Sequence, residues 1–384
     1  MNQIDQILHQ AARTEAVPGV VAVAVNAGQV IYEGAFGRRV LPDGPPMTLD
    51  TVFRIASMTK AVTAVAAMQL VEQGRLSLDA PAANVLSELA SRQVLEGFDS
   101  TGRPILRPAR SPITLRQLLT HTAGFGYDTW NADLQRYYRE AGLPAVRTGL
   151  LAALDAPLTF EPGTRWQYGI NIDWVGRMIE AVSGEDLEAY FQRHIFAPLG
   201  MASTSYLVRP DMEPRLATVH ARTDQGLQPL QLDSRPPREF YPGGGGLYST
   251  AGDYLTFLRM LLSHGTAGER VVLQKHTVAT MLQNHIGKLS VEPMQSAVPT
   301  SSNDVELFPG IPKKWGLSFL INTEPVPNGR AANSVAWAGL YNTYYWLDPS
   351  RKVAGVLMAQ VLPFADGAVL DLLARFEDRI YGTI

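Results

Sequence analysis

The chain has 384 residues, 46% of them hydrophobic, which is enough for a large core in one domain or two closely packed ones. Lys and Arg number 33 against 36 Asp and Glu, a net charge of -3, and no basic block or arginine stripe appears, which argues against nucleic acid as a partner. There are no cysteines, so disulfides, thiolate metal sites and a cysteine nucleophile are excluded, while the redox compartment stays open.

The first ten residues have no basic segment followed by an apolar one and no small-residue cleavage site, so they do not read as a signal peptide. Ile4, Ile7, Leu8 and Ala11 instead fit an amphipathic helix. No apolar run reaches membrane-spanning length, so no membrane is expected and the cytoplasm is the expected compartment. Two β-rich runs follow, residues 19–25 and 29–36. Asn26-Ala27-Gly28 supplies turn chemistry between them, which predicts a hairpin.

Next comes Phe53-Arg54-Ile55-Ala56-Ser57-Met58-Thr59-Lys60, leading into an apolar helical run to Val71. Serine and lysine three residues apart on a helix share a face, so hydroxyl and amine can meet. A neutral lysine can take a serine proton, and Ser-Lys pairs are one way to activate a nucleophile. Such a spacing arises about once by chance in a chain of this length. The context raises its value: the run after it is apolar nearly all round, as in a buried helix. Burial lowers the pKa of an amine, which a lysine base requires.

The middle of the chain reads as helical, with Pro and Gly breaks. Helices are predicted from Ile113 to His121, stopping at Gly124, and over 171–182, 187–196 and 250–262. Tyr241-Pro242-Gly243-Gly244-Gly245-Gly246 lacks the preceding strand and the Lys-Ser/Thr of a phosphate cradle, and reads as a flexible wall of a cleft. Residues 287–312 read as a long polar surface loop beside a site. Strands return at 315–321, 334–338, 341–347 and 353–361, and an amphipathic helix over 368–381 closes the chain. The predicted fold class is α+β, an α/β sandwich. One antiparallel sheet is built from both termini (1–56 and 313–384) and flanked by the terminal helices, with a mainly helical region (57–312) inserted. Ser57 would open into the cleft between the two parts.

Two further motifs lie on the seam. Trp166-Gln167-Tyr168-Gly169-Ile170-Asn171 places a tyrosine just before a helix, where its hydroxyl can reach a cleft or be satisfied in the core. Trp337-Ala338-Gly339-Leu340-Tyr341-Asn342 ends one strand and begins the next, with small residues that let a ligand approach the backbone. Phe125, Tyr127, Trp130, Trp337, Tyr341 and Tyr344 are expected to divide between cleft and core. Asp173 fits either a positioning role for the tyrosine segment or a helix-start charge. His121 reads as structural, and the other histidines lack metal-ligand spacing, so neither a metal nor a cofactor is expected.

In this order the three motifs resemble those of the serine β-lactamase and penicillin-binding-protein family: Ser-x-x-Lys, then Tyr-x-Asn or Ser-x-Asn, then a Lys-Thr-Gly-like strand. Leu118-Leu119-Thr120-His121-Thr122-Ala123-Gly124 and Pro198-Leu199-Gly200-Met201 extend the resemblance over nearly the whole chain. Within the family, Trp-x-Gly in place of Lys-Thr-Gly resembles the family VIII carboxylesterases, esterases with the class C β-lactamase fold. The resemblance implies Ser57 as nucleophile, Lys60 as its partner in proton removal, and Tyr168 as shared base and acid with a pKa lowered by the ammonium. It also implies an oxyanion hole from the Ser57 and Leu340 N–H groups. Trp337, Gly339, Tyr127, Phe125 and Ile170 would then border the substrate.

Two departures bear on the substrate. Ile170 stands where a β-lactamase of this kind carries Asn or Ser, and Trp337 stands where it carries a cation for the substrate carboxylate. Both favour a small neutral ester, of short-chain or aryl type. The alternatives are an amide-directed enzyme (β-lactamase, D-aminopeptidase or another amide hydrolase), an acyltransferase using the same acyl-enzyme, and a non-catalytic binding module.

Overall fold

The computed structural model describes residues 2–27, 29–232 and 239–384. Its central feature is a seven-stranded sheet in which every neighbouring pair is antiparallel. Strands β1 (Gly19–Asn26) and β2 (Gln29–Gly37) come from the beginning of the chain. Strands β3 (Lys313–Trp315), β4 (Leu320–Asn322), β5 (Val335–Gly339), β6 (Thr343–Asp348) and β7 (Val353–Met358) come from its last third. The order β3-β4-β5-β6-β7-β1-β2 pairs the first strand with the last, Val23 opposite Val356. This is the two-ended antiparallel sheet that the sequence predicts. β1 is buried from Gly19 to Val25, which explains its unbroken apolar run, whereas β2 forms an edge and is largely open to solvent.

Successive residues of β6 point to opposite faces of the sheet and identify what covers each. Trp346 meets Phe376 of the C-terminal helix, ring centres 5.6 Å apart. That helix, Gly367–Tyr381, packs beside α1 (Gln3–Arg13). On the other face Tyr345 meets Tyr254 of the helix Ala251–Leu262, at 5.2 Å. Trp337 of β5 lies opposite Tyr345 in the register and so belongs to this second face. Here also runs α2 (Thr59–Glu72), whose residues from Thr59 to Leu70 are all buried, and α3 (Asn171–Ser183) packs against it. No helix among the described residues is long and apolar enough to cross a membrane.

Several boundaries differ from the sequence reading. The alternating stretch 315–321 is two strands, β3 and β4, separated by a turn in which the Gly316 N–H donates to Phe319 O and Ser318 has φ +74°. The helix predicted from Ile113 is only Leu115–Leu119, because His121 has a left-handed φ of +57° that breaks it before Gly124. Residues 187–196 change from α- to π-helix at Gln192. Gly28 of the expected hairpin turn lies outside the described residues. The stretch 287–312 does border the aromatic cluster beside Ser57: the Trp130 indole donates to Ser302 Oγ at 3.0 Å.

Candidate active site

Ser57 sits at the end of a braced approach. Phe53–Arg54 pairs with Tyr248–Ser249, and the Ile55 N–H donates to Leu247 O at 3.0 Å. Ala56–Met58 is a single 3₁₀ turn, so Ser57 lies just ahead of α2 instead of at its first residue. Ala56 has φ +42°, a left-handed conformation that costs a non-glycine residue about 1–2 kcal/mol. The surrounding packing must hold it there. The end of β5 contributes: a Cβ on Gly339 would lie 2.2 Å from the Ile55 carbonyl oxygen, so only glycine permits this approach. Leu340, half-buried, follows directly, and among the described residues neither the Ser57 nor the Leu340 N–H is engaged in the turn and loop hydrogen bonds.

Lys60 lies one turn further along, 1% exposed. Its amine is placed to donate to Ser57 Oγ at 3.0 Å, Tyr127 OH at 3.1 Å and Gly244 O at 2.6 Å. The glycine run is therefore no flexible wall. Thr63 Oγ1 donates to Gly243 O at 2.6 Å and the Gly244 N–H donates to Asp173 Oδ1 at 2.9 Å, which ties the run to α2 and α3. A Cβ on Gly244 would stand 2.7 Å from Asp173 Oδ2 and 2.9 Å from the Tyr127 hydroxyl, so any side chain there would have to push these groups aside.

Burial pushes the Lys60 ammonium down to about 7, against the upward pull of Asp173. Burial also raises Asp173 to about 6, opposed by Lys60, the Gly244 N–H and the Tyr127 hydroxyl. A neutral lysine has two hydrogens and one lone pair. If Gly244 O and Tyr127 OH take the hydrogens, the lone pair is left for the proton of Ser57.

Tyr168 closes the other side. Its hydroxyl accepts a 3.0 Å hydrogen bond from the Trp337 indole, and its ring meets Trp337, Trp130, Tyr127 and His121 at centre distances of 4.9, 5.4, 5.2 and 4.8 Å. Lys60 Nζ lies 4.7 Å from the ring centre. The expected lowering of the phenol pKa does not occur. Burial pushes it up, and the opposing hydrogen bonds from Ser57 and Trp337 do not compensate. His121 is a brace: the Gly169 N–H donates to its Nδ1 at 3.3 Å and Asn171 Nδ2 lies 3.0 Å from the same atom. Burial, followed by the charge of Lys60, drives the His121 pKa well below its usual value.

Ser57, Lys60, Tyr127, Tyr168 and Trp337 thus converge, with Gly339 and Leu340 at the seam. Phe125 and Ile170 do not join them. Both are 0% exposed, Phe125 stacked on Trp174 at 5.9 Å, so neither offers surface to a substrate. The Phe125 carbonyl instead accepts from Asn171 Nδ2 at 3.1 Å, beside the Tyr168 segment. Of the other aromatics, Trp130 and Tyr341 are partly buried while Tyr344 is core. The contribution of the Gly244 carbonyl is the element that sequence reasoning missed, and the glycine run was its only local sign.

A serine paired with a buried amine and a buried phenol, on a helix against an antiparallel sheet, has the architecture of the serine β-lactamases and penicillin-binding proteins. The chain matches the Beta-lactamase family over residues 4–378 and belongs to it. It is 32% identical to a monacolin J acid methylbutanoyltransferase of Aspergillus terreus, over 98% of this chain and 95% of the relative. It is 31% identical to a lovastatin esterase of Penicillium rubens, over 98% of each. The solved structure of unliganded simvastatin synthase from Aspergillus terreus superposes with a TM-score of 0.85 at 30% identity, covering 99% of this chain and 97% of that one. Relatives of this chain are thus acyltransferases and esterases on one fold.

Proposed function

We propose that the protein cleaves short-chain or aryl carboxylic esters through an acyl-Ser57 intermediate. The observation that carries this reading is the 3.0 Å contact between Ser57 Oγ and a Lys60 amine that burial pushes down to about 7. Lys60 takes the Ser57 proton as Oγ bonds to the substrate carbonyl carbon. The N–H groups of Ser57 and Leu340 receive the oxyanion. Tyr168, kept as a neutral phenol, hands its proton to the leaving alcohol oxygen as the C–O bond breaks. A proton passing from the Lys60 ammonium to the Tyr168 oxygen then restores both groups. Deacylation repeats the sequence with a new nucleophile.

The choice of ester over β-lactam or peptide is supported by Trp337, which brings an indole where a carboxylate-binding cation would stand. It is the same feature by which the chain resembles the family VIII carboxylesterases. A second reading is favoured by the transferase relatives: an alcohol in place of water accepts the acyl group, so that the enzyme makes the ester instead of breaking it. The aromatic wall of Tyr127, Trp130, Tyr168 and Trp337 would favour an apolar acceptor over water. The test is a panel of p-nitrophenyl esters beside nitrocefin, with and without an added alcohol. Turnover of acetate or butyrate esters is expected, falling by at least about 10⁴-fold in Ser57→Ala. Nitrocefin turnover without ester turnover would overturn the proposal.

A further inference from the structure

The geometry points to Asp173 as a positioning residue that sets the protonation state of Lys60 through the Gly244 backbone and its own buried charge. This rests on the proposed role of Lys60 as base. Asp173 lies in the first turn of α3, 0% exposed, and its carboxylate grips the Gly244 N–H while the carbonyl of the same residue receives Lys60 at 2.6 Å. One residue, Gly244, thus connects acid and amine through the two peptide groups that flank its Cα. Tyr127 flanks the same glycine and touches Lys60 on its other side. A helix-start charge would face solvent and act on the helix dipole; this one is enclosed by the nucleophile's partners.

The groups facing the pair are Tyr127, Tyr168 and His121 around Lys60, with Tyr138 and Tyr206 also within the field of Asp173. Burial holds all four phenols above their usual range and His121 well below its own. Between pH 6 and 8, about the range in which both groups of the pair titrate, that leaves Lys60 and Asp173 as the ones able to change charge. A negative Asp173 favours the ammonium, so removing its charge makes Lys60 neutral at lower pH.

The test is the pH dependence of Ser57 labelling by a fluorophosphonate, which reports nucleophilicity without assuming a natural substrate. In Asp173→Asn the amide oxygen can still accept from the Gly244 N–H, and the acid limb of the labelling rate should move down by about one pH unit. Gly244→Ala, whose Cβ would displace the carboxylate, should move it in the same direction, and it carries the test if Asp173→Asn does not fold. An acid limb unchanged in a folded variant would overturn the role of Asp173. Wild-type labelling at Ser57 without ester turnover would instead count against the proposed function and leave this inference standing.

Discussion

On the α2 side of Ser57, a buried amine is surrounded by fixed oxygens: Gly244 O, Tyr127 OH and Ser57 Oγ. On the β5 side, a buried phenol is held by one indole donor within a ring of aromatics. Burial acts on both, with opposite chemical results. It disfavours the ammonium and brings Lys60 down to about 7, and it disfavours the phenolate and pushes Tyr168 up. The same low-dielectric setting therefore favours a neutral amine on one side and a neutral phenol on the other, which the proposed reaction uses as base and acid. Separating two titratable neighbours in this way is how a site assigns acid and base roles near neutral pH.

Lys60→Met should break this contrast most severely. It removes the proposed base and leaves Gly244 O without its donor, so kcat/KM should fall on the order of 10³-fold in ester hydrolysis kinetics. A loss of less than tenfold would mean that another group takes the Ser57 proton. Tyr168→Phe should cost less, on the order of 10²-fold. Its loss should shrink for substrates whose leaving group needs no proton, so nitrophenyl esters should suffer less than alkyl esters. Equal losses on both would show that Tyr168 does not protonate the leaving alcohol.

The two sides were not equally legible in the sequence. Ser57 and Lys60 are three residues apart, and the apolar run behind them announced a buried helix, which α2 confirms from Thr59 to Leu70. The sheet was legible because apolar, β-rich stretches lay at both ends of the chain. What encloses Lys60 was not, since Gly244 is 184 positions away and acts through its backbone, which no residue pattern records. Tyr168 was found as a motif, but its pKa was read in the wrong direction: the sequence shows a neighbouring cation and cannot show how completely the phenol is desolvated. Phe125 and Ile170 were misplaced for a related reason, because proximity to a motif along the chain does not reveal which face of the segment is covered. The merging of β3 and β4 arose where alternation continued through Gly316–Phe319, a turn that Gly316 makes close to Met281 O.

In the proposed reaction Lys60 takes the proton of Ser57 Oγ, and that oxygen carries the acyl group. The most direct test is peptide mass spectrometry of the protein quenched with acid during turnover of p-nitrophenyl butyrate. A butyryl group on Ser57, absent in Ser57→Ala and appearing far more slowly in Lys60→Met, is the predicted result. Continued turnover with Ser57 unmodified, or with the acyl group on another residue, would contradict it.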